Sequence, residues 1–303
     1  MTEQMAHNVG PSRVDIAYQR HGDPRHPTLL LVMGLAGQMV HWPLGLIDAL
    51  VGRNLHVVRF DNRDAGRSTH FRAAPPADLP AVRAGDLSTA SYRLSDFAAD
   101  SVGLLDVLDI RAAHLMGASL GGAIAQTMAI EHPARVLSLT SIMSSTGDAR
   151  VGQAHAEVMA PVFGVPPVHT REEVMARAVR VSNVIGSPGF PTDADDVAAR
   201  AGLAFDRAHD PSAMGRQLVA AAASGDRTPQ LRKLDLPALV VHGLADKLCD
   251  PSGGRATAEA IPGAELTLIE GMGHDLPRGV WEQLAERVAA TVERGEARRR
   301  ASR

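Results

Sequence analysis

The sequence has little of what stabilises secreted or membrane-spanning proteins. Its 303 residues include one cysteine, Cys249, which cannot form an intrachain disulfide, so the fold does not depend on an oxidising compartment. The first residues, MTEQMAHNVGPSRVD, lack the basic and apolar regions of a signal peptide, and no apolar run is long enough to cross a membrane. We therefore expect a cytoplasmic protein without a membrane span.

The chain also has little net charge and few aromatic side chains. The chain has 31 Lys and Arg residues against 34 Asp and Glu residues, and a formal net charge of -3 gives no electrostatic reason to bind nucleic acid. Aromatic residues make up 3% of the chain, which argues weakly against stacking on a polyaromatic ligand. We expect a small-molecule partner, and nothing in the sequence indicates an oligomeric state.

What the sequence does have is an alternation of short apolar runs with amphipathic stretches. Such a rhythm is typical of β-strands connected by helices in a mostly parallel sheet, so we predict an α/β fold with helices flanking a central sheet. The predicted strands are residues 13–20, 28–34, 55–61, 112–119, 136–143, 236–243 and 264–270.

The rhythm is interrupted over residues 147–228, where helical patterns occur without a strand-like run. We predict a helical cap insertion there, between a first part of the core at 1–146 and a second part at 229–303. Residues 73–91, rich in Ala and Pro, are predicted to form a long functional or mobile loop. The basic C-terminal stretch ARRRASR is predicted to be a frayed, solvated tail.

A serine between glycines is the first candidate for chemistry. The stretch GASLG, residues 117–121, fits the pattern G-x-S-x-G, but 28 glycines in the chain make a chance match plausible, so context must decide. Ser119 follows an apolar strand and precedes a helix, where small neighbours permit a sharp, strained turn. Strain of this kind is retained mainly at functional sites, which favours Ser119 as a nucleophile over a simple turn residue.

A serine hydroxyl needs a base and an orienting carboxylate. His274, in IEGMGHDLP, lies in a glycine-flanked loop after the last strand and is the strongest candidate base. Asp246, in VVHGLADKLCDP, is the preferred carboxylate, and Asp250 and Asp148 are alternatives from strand-following loops. The chain order Ser, Asp, His is the order expected for a nucleophile elbow on such a sheet.

Two backbone amides are predicted to form an oxyanion hole. One belongs to Leu120, the residue after the nucleophile, and the other to Leu35 in MGLAGQMVHW. Gly34 and Gly37 in that loop let the backbone approach a ligand, although the same glycines are also compatible with a plain strand-to-helix turn.

Together, the motifs GASLGG, VVHGLADKLCDP, GMGHDLP and RFDNRDAGRST resemble the α/β-hydrolase superfamily over nearly the whole chain. Within it, LLLVMGLAGQ and RFDNRDAGRS are similar to a group of bacterial serine esterases that includes aclacinomycin methylesterase. The resemblance implies Ser119 as nucleophile, His274 as base, Asp246 as its orienter, and the amides of Leu35 and Leu120 as oxyanion hole. Many members have His where this chain has Met33, which makes the predicted pocket floor more apolar.

The function expected from these features is hydrolysis of carboxylic esters through an acyl-enzyme, without metal or organic cofactor. Met33, Gly34 and Gln38 are the candidate substrate-binding residues, and the substrate is expected to be a small to medium apolar ester. Carbon-carbon hydrolases, lactonases, thioesterases and perhydrolases share the same triad and remain alternatives. A non-enzymatic alternative is a ligand-binding module on the same fold that has no turnover. The motif RFDNRDAGRST is expected to hold its loop by charge-assisted hydrogen bonds rather than to act chemically.

Overall fold

The computed structural model describes residues 2–301 and contains an eight-stranded sheet of order β1-β2-β4-β3-β5-β6-β7-β8. The first two strands are antiparallel to their neighbours, and the remaining pairs are parallel. The strands are β1 (Gln4–Val9), β2 (Val14–His21), β3 (Thr28–Val32), β4 (His56–Phe60), β5 (Ala113–Ala118), β6 (Val136–Ile142), β7 (Ala238–Gly243) and β8 (Glu265–Ile269). The mostly parallel sheet predicted from the sequence is confirmed.

Helices cover both faces of the sheet and fill the long connection between β6 and β7. They are α1 (Leu44–Val51), α2 (Leu79–Arg83), α3 (Leu94–Val107), α4 (Leu120–Glu131), α5 (Ala156–Phe163), α6 (Arg171–Ile185), α7 (Ala194–Arg207), α8 (Ala213–Ser224), α9 (Thr228–Leu231), α10 (Ser252–Ala260) and α11 (Trp281–Ala301). Across residues 2–301, no helix is long and apolar enough to span a bilayer.

The central strand β3 shows why the sheet has two covered faces. Its apolar residues Leu29, Leu30, Leu31 and Val32 are all fully buried, as expected of a parallel strand with helices above and below. Successive side chains point to opposite faces, so Leu30 packs in the core with α3 and α4, whereas Leu31 packs in the core with α1 and α11. This sandwich fixes the carboxyl ends of the strands, where loops can carry functional groups.

Strand β1 was not predicted from the sequence. Only Ala6 and Val9 of its six residues are buried, since it pairs with β2 at the edge of the sheet. So few apolar positions give a strand too weak a periodic signal to be recognised.

Two predictions about the surface segments are only partly right: residues 73–91 are not all loop, and the basic tail is exposed as predicted but is not frayed. Residues 73–91 contain helix α2, whose Val82 packs with Val219 of α8, so the segment is partly ordered by tertiary contact rather than being a plain loop. The basic tail does not fray within the described residues, because α11 continues to Ala301. Arg298 pairs with Asp235, and Arg299 pairs with Glu296 one turn earlier.

Residues 147–228 hold helices α5 to α8 and carry no strand. Helix α6 has no fully buried residue. This pattern is expected of a helix that lies over a cavity rather than against a packed core. The segment contacts the core through α7 and α8, through the end of α6 and through the start of α5. We call it the cap segment from here on.

Candidate active site

Ser119 occupies the sharp turn between β5 and α4. Its φ of 56° lies in the left-handed region, which a residue with a side chain adopts only at a cost of about 1 to 3 kcal/mol. The turn is possible because glycines lie two residues before and two residues after Ser119: a Cβ on Gly117 would lie 2.1 Å from the carbonyl oxygen of Gly121, and one on Gly121 would lie 2.0 Å from that of Val32. The glycines therefore hold the strained serine at the end of the strand.

Three of the predicted side chains come together at this turn. His274 Nε2 lies 2.9 Å from Ser119 Oγ, and His274 Nδ1 lies 2.7 Å from Asp246 Oδ2. Because a carboxylate can only accept, the Nδ1–H of His274 donates to Asp246, and Nε2 is left to accept the hydroxyl proton of Ser119. The arrangement can transfer a proton from the serine to the imidazole.

Asp246 is held in its ionised form by its surroundings. Its other oxygen, Oδ1, accepts the backbone N–H groups of Leu248 and Cys249 at 2.9 and 2.8 Å, and His242 Nε2 lies 3.4 Å from Oδ2. Burial of the carboxylate alone would raise its pKa, but the charge of His274 and these hydrogen bonds outweigh burial and hold the pKa of Asp246 well below its usual range. A permanent negative charge therefore faces the imidazole.

The two alternative carboxylates lie elsewhere and have other partners. Asp250 accepts from the backbone N–H of Ser252 and pairs with His155 at 3.1 Å. Asp148 forms an ion pair with Arg150 at 2.6 Å. Neither has a hydrogen bond to His274 within residues 2–301, so the geometry favours Asp246.

The cap segment holds the loop that carries His274. The backbone N–H of His274 donates to the carbonyl of Ile185 at 2.7 Å, and Gly273 N–H donates to Ser187 Oγ at 2.9 Å. The position of the imidazole thus depends on the last residue of helix α6 and on Ser187 just after it, as well as on the sheet.

The loop after β3 lies beside Ser119. A Cβ added to Gly34 would lie 3.1 Å from Ser119 Cβ and 3.7 Å from its Oγ, and the loop closes as a turn in which Gly37 N–H donates to Gly34 O at 3.0 Å. Within the described residues, neither the amide of Leu35 nor that of Leu120 has a hydrogen-bond acceptor. Two unpaired N–H groups next to a serine can bind a negatively charged oxygen.

The predicted substrate-binding residues all line the same cavity, but their environments differ. Met33 is buried, and its carbonyl accepts from Asn62 at 2.9 Å. The amide of Gln38 is fully occupied: Nε2 donates to the carbonyls of Ala204 and Ala208 at 2.7 and 2.9 Å, and Oε1 accepts from Arg207. Gln38 therefore connects the loop after β3 to helix α7 of the cap segment, and it has no free polar group for a ligand.

The motif RFDNRDAGRST supplies the ion pairs that join core and cap segment. Asp61 pairs with Arg207 at 2.7 Å and also accepts the backbone N–H of Met39 at 2.7 Å. Asp64 pairs with Arg216 of α8 at 2.6 Å. The predicted charge-assisted hydrogen bonds are present, but several of them reach side chains of the cap segment rather than nearby backbone.

The cap residues in these pairs were not foreseen. Arg207, Arg216 and Gln217 lie in amphipathic helices that look like any solvated helix in the sequence, and their partners are about 150 positions away. No local sequence signal marks such contacts, because they arise only when the cap segment folds over the sheet.

A cavity of about 1210 Å³ lies between the core and the cap segment, and Ser119 and His274 both line it. Most of its lining is apolar, for example Val181, Ile185 and Phe205 of the cap segment and Leu276 of the core. The volume is larger than the usual 300 to 1,000 Å³ of small-molecule sites. An organic molecule of substantial size fits above Ser119.

One group among the described residues has the composition of a metal site: Asp64, His70 and Asp210 have potential ligand atoms within 4.8 Å of one another. Arg216 already bonds both carboxylates, at 2.6 Å to Asp64 and 2.8 Å to Asp210. Because the guanidinium compensates their charge, the cluster functions as an ion-pair connection between core and cap segment.

Comparison with known proteins gives a consistent result. A model of the alpha/beta hydrolase fold family matches residues 27–277. The chain is 30% identical to rhodomycin D methylesterase DnrP of Streptomyces peucetius over 89% of this chain and 92% of the relative. It is 29% identical to rhodomycin D methylesterase DauP of a Streptomyces species over the same shares. A crystal structure of a putative aryl esterase from Burkholderia cenocepacia superposes with a TM-score of 0.74 at 17% identity, covering 98% of this chain and all of that one.

Proposed function

The chain belongs to the alpha/beta hydrolase fold family, and from this premise we propose that it is a serine esterase whose catalytic residues are Ser119, His274 and Asp246. The observation that carries the proposal is the continuous hydrogen-bond path from Ser119 Oγ to His274, at 2.9 Å, and from His274 to Asp246, at 2.7 Å. A serine on a strained turn with a base and an ionised orienter is the arrangement that nucleophilic acyl transfer requires.

The proposed reaction has two halves. Ser119 Oγ attacks the ester carbonyl while His274 Nε2 takes its proton, and Asp246 stabilises the resulting imidazolium. The imidazolium then protonates the leaving alcohol, and an acyl-enzyme remains on Ser119. Water, deprotonated by His274, attacks the acyl carbon and releases the acid and the free serine.

The amides of Leu35 and Leu120 are proposed as the oxyanion hole. Two observations support this assignment: neither N–H has an acceptor among the described residues, and Leu35 follows Gly34, which lies beside Ser119, while Leu120 is the first residue of α4. The N-terminus of α4 adds partial positive charge where the carbonyl oxygen becomes negative. Each such donor contributes about 3 to 4 kcal/mol of transition-state stabilisation in comparable enzymes.

We propose that the cap segment, residues 147–228, forms the roof of an apolar substrate site, with Met33 and Gly34 at its floor. The lining is mostly apolar, and the cavity is large enough for an ester bigger than a simple acyl chain. Relatives named as methylesterases favour methyl esters of bulky carboxylic acids as the substrates to test first.

The test is a panel of methyl esters, p-nitrophenyl acyl esters and lactones, with wild type and Ser119→Ala measured in parallel. Wild type is expected to hydrolyse esters, and Ser119→Ala should retain less than about a thousandth of the kcat, since only binding and the oxyanion hole remain. Ser182→Ala is the matched control, because this serine also lines the cavity but lies in α6 away from the turn.

Trapping identifies the covalent step separately. Mass spectrometry of wild type quenched during turnover should find the acyl group on the peptide that contains Ser119. If the wild type binds esters without hydrolysing them, the proposed function is contradicted and a ligand-binding module remains. Undiminished turnover by Ser119→Ala would contradict the role of Ser119 as nucleophile.

A further inference from the structure

The loop that carries the Leu35 amide depends on one buried side chain of the cap segment. Gln217 of α8 is 1% exposed, and its Oε1 accepts the backbone N–H of Ala36 at 2.8 Å. Its Nε2 donates to the carbonyl of Arg63 at 2.9 Å. Both ends of the side-chain amide are therefore matched to a partner, and it cannot rotate by half a turn without losing both hydrogen bonds.

The turn held by Gln217 is intrinsically unfavourable for its sequence. Gly34 and Gly37 are the ends of a four-residue turn, and Ala36 at its third position has a φ of 54°. A positive φ at that position is the mark of a type II turn, which favours Gly or Asn there, whereas Ala is more stable in a type I turn. The two turn types differ by rotation of the central peptide, which here joins Leu35 to Ala36.

Gln217 counteracts that rotation. Its Oε1 accepts the N–H of the central peptide, so a rotated peptide would present the Leu35 carbonyl to the same oxygen and repel it. The N–H of Leu35, one of the two proposed oxyanion donors, belongs to the preceding peptide of the same four-residue turn, which the Gly37-to-Gly34 hydrogen bond closes. Because Gln217 holds the next peptide of this turn, loss of its hydrogen bond would reach the Leu35 N–H through displacement of the whole turn.

Helix α8 is anchored firmly enough to serve as this support. Arg216, the neighbour of Gln217, bonds Asp64 at 2.6 and 2.8 Å. Arg63, whose carbonyl receives the Gln217 amide, is itself buried and bonds Asp100 at 2.7 and 2.8 Å. The contact therefore connects the loop after β3 to the rigid core as well as to the cap segment.

We propose that Gln217 is a positioning residue that holds the Leu35 half of the oxyanion hole in its binding orientation, so that the cap segment contributes to turnover as well as to substrate enclosure. The proposal rests on the proposed function. It assigns to α8 a role in stabilising the transition state, which a helix that only roofs the cavity would not have.

The test compares Gln217→Leu with wild type on the best ester of the panel. We expect kcat to fall roughly 10- to 100-fold, as for weakening one oxyanion donor, with KM changed less than about threefold. Affinity for a trifluoromethyl ketone, which binds Ser119 as an oxyanion, should fall by the same factor as kcat. Affinity for the product acid should change by less than about twofold, because the product carries no tetrahedral oxyanion.

Two further variants separate positioning from loss of stability. Gln126→Leu removes a buried glutamine that bonds Ser141 of β6 and Arg227 of the cap segment, so it controls for the loss of two buried hydrogen bonds. Adding Ala36→Gly to Gln217→Leu should recover at least about threefold in kcat, because glycine adopts the positive φ without support.

A failure of the Gln217 proposal can be distinguished from a failure of the proposed esterase function. A fluorophosphonate probe labels a reactive serine without knowledge of the substrate, so its rate of reaction with Ser119 is measured in every variant. Equal labelling and equal kcat in wild type and Gln217→Leu would overturn the positioning role and leave the esterase intact. A fall no larger than that of Gln126→Leu, or no recovery with Ala36→Gly, would also overturn it. Wild type that neither reacts with the probe nor hydrolyses an ester would refute both proposals.

Discussion

Replacing Asp246 by asparagine changes the hydrogen bonds of the imidazole in a way that the structure specifies. In the wild type, Oδ1 accepts the N–H groups of Leu248 and Cys249, and Oδ2 accepts the Nδ1–H of His274. An asparagine retains one side-chain oxygen. This oxygen should take the Oδ1 position, because the N–H groups of Leu248 and Cys249 both need an acceptor there. Its NH2 group then faces His274 and donates to Nδ1, which moves the ring proton to Nε2.

The magnitude follows from two losses. With the proton on Nε2, the imidazole cannot accept the proton of Ser119, and the negative charge 2.7 Å from Nδ1 no longer stabilises the imidazolium. In Ser-His-Asp enzymes the corresponding change lowers kcat by about 10⁴, or about 5.5 kcal/mol at 1.36 kcal/mol per tenfold. His242 Nε2, which lies 3.4 Å from Oδ2, would then face the new NH2 group. Both groups are hydrogen-bond donors, so no hydrogen bond could form between them. We expect kcat to fall roughly 10³- to 10⁴-fold with KM changed less than about threefold.

The assay is steady-state hydrolysis of p-nitrophenyl butyrate, with Asp250→Asn as the matched control. Asp250 lies in the same loop, but its partners are His155 and the N–H of Ser252, so its replacement should leave kcat within about threefold of wild type. Retention of more than about a tenth of kcat in Asp246→Asn, or an equal loss in Asp250→Asn, would refute the assignment of Asp246 as orienter.

Two predictions concern stability. Burial lowers the pKa of His114 to about 4, whereas a histidine in the unfolded chain has a pKa near 6.5. The unfolded chain therefore binds this proton first as pH falls, and the contribution of His114 to the free energy of unfolding should fall by about 2 to 3 kcal/mol between pH 7 and 4.5. Urea unfolding at both pH values should show a smaller drop for His114→Gln, and an equal drop would disprove the cause. Gly121→Ala places a Cβ 2.0 Å from the Val32 carbonyl oxygen and should cost more than about 3 kcal/mol. Gly215→Ala, whose new Cβ meets only the Ala77 Cβ at 3.1 Å, should cost less, and equal thermal midpoints for the two variants would contradict the steric argument.

The family and the sheet were predictable because their signals are local. A buried parallel strand such as β3 is a run of apolar residues, and the sharp strand-to-helix turn at Ser119 needs glycine two residues before and two residues after it whatever the rest of the chain does. The loops carrying His274 and Asp246 follow recognisable strands, so their arrival at one edge of the sheet follows from topology. Among the three candidate carboxylates, Asp246 was preferred from its loop position alone.

Contacts between distant segments were decided only by the tertiary structure. The hydrogen bond from Ala36 to Gln217 joins residues 181 positions apart, and Asp64 meets Arg216 across 152 positions. The helices that supply these side chains have the pattern of ordinary solvated helices, and their partners become apparent only when the cap segment packs over the sheet. The sequence by itself determined the fold and singled out Ser119 and His274 as candidates, since periodicity and turn residues act over a few positions. The tertiary structure decided which carboxylate meets the histidine and what holds the loop of Leu35, because hydrogen bonds and ion pairs depend on distances that no local pattern encodes.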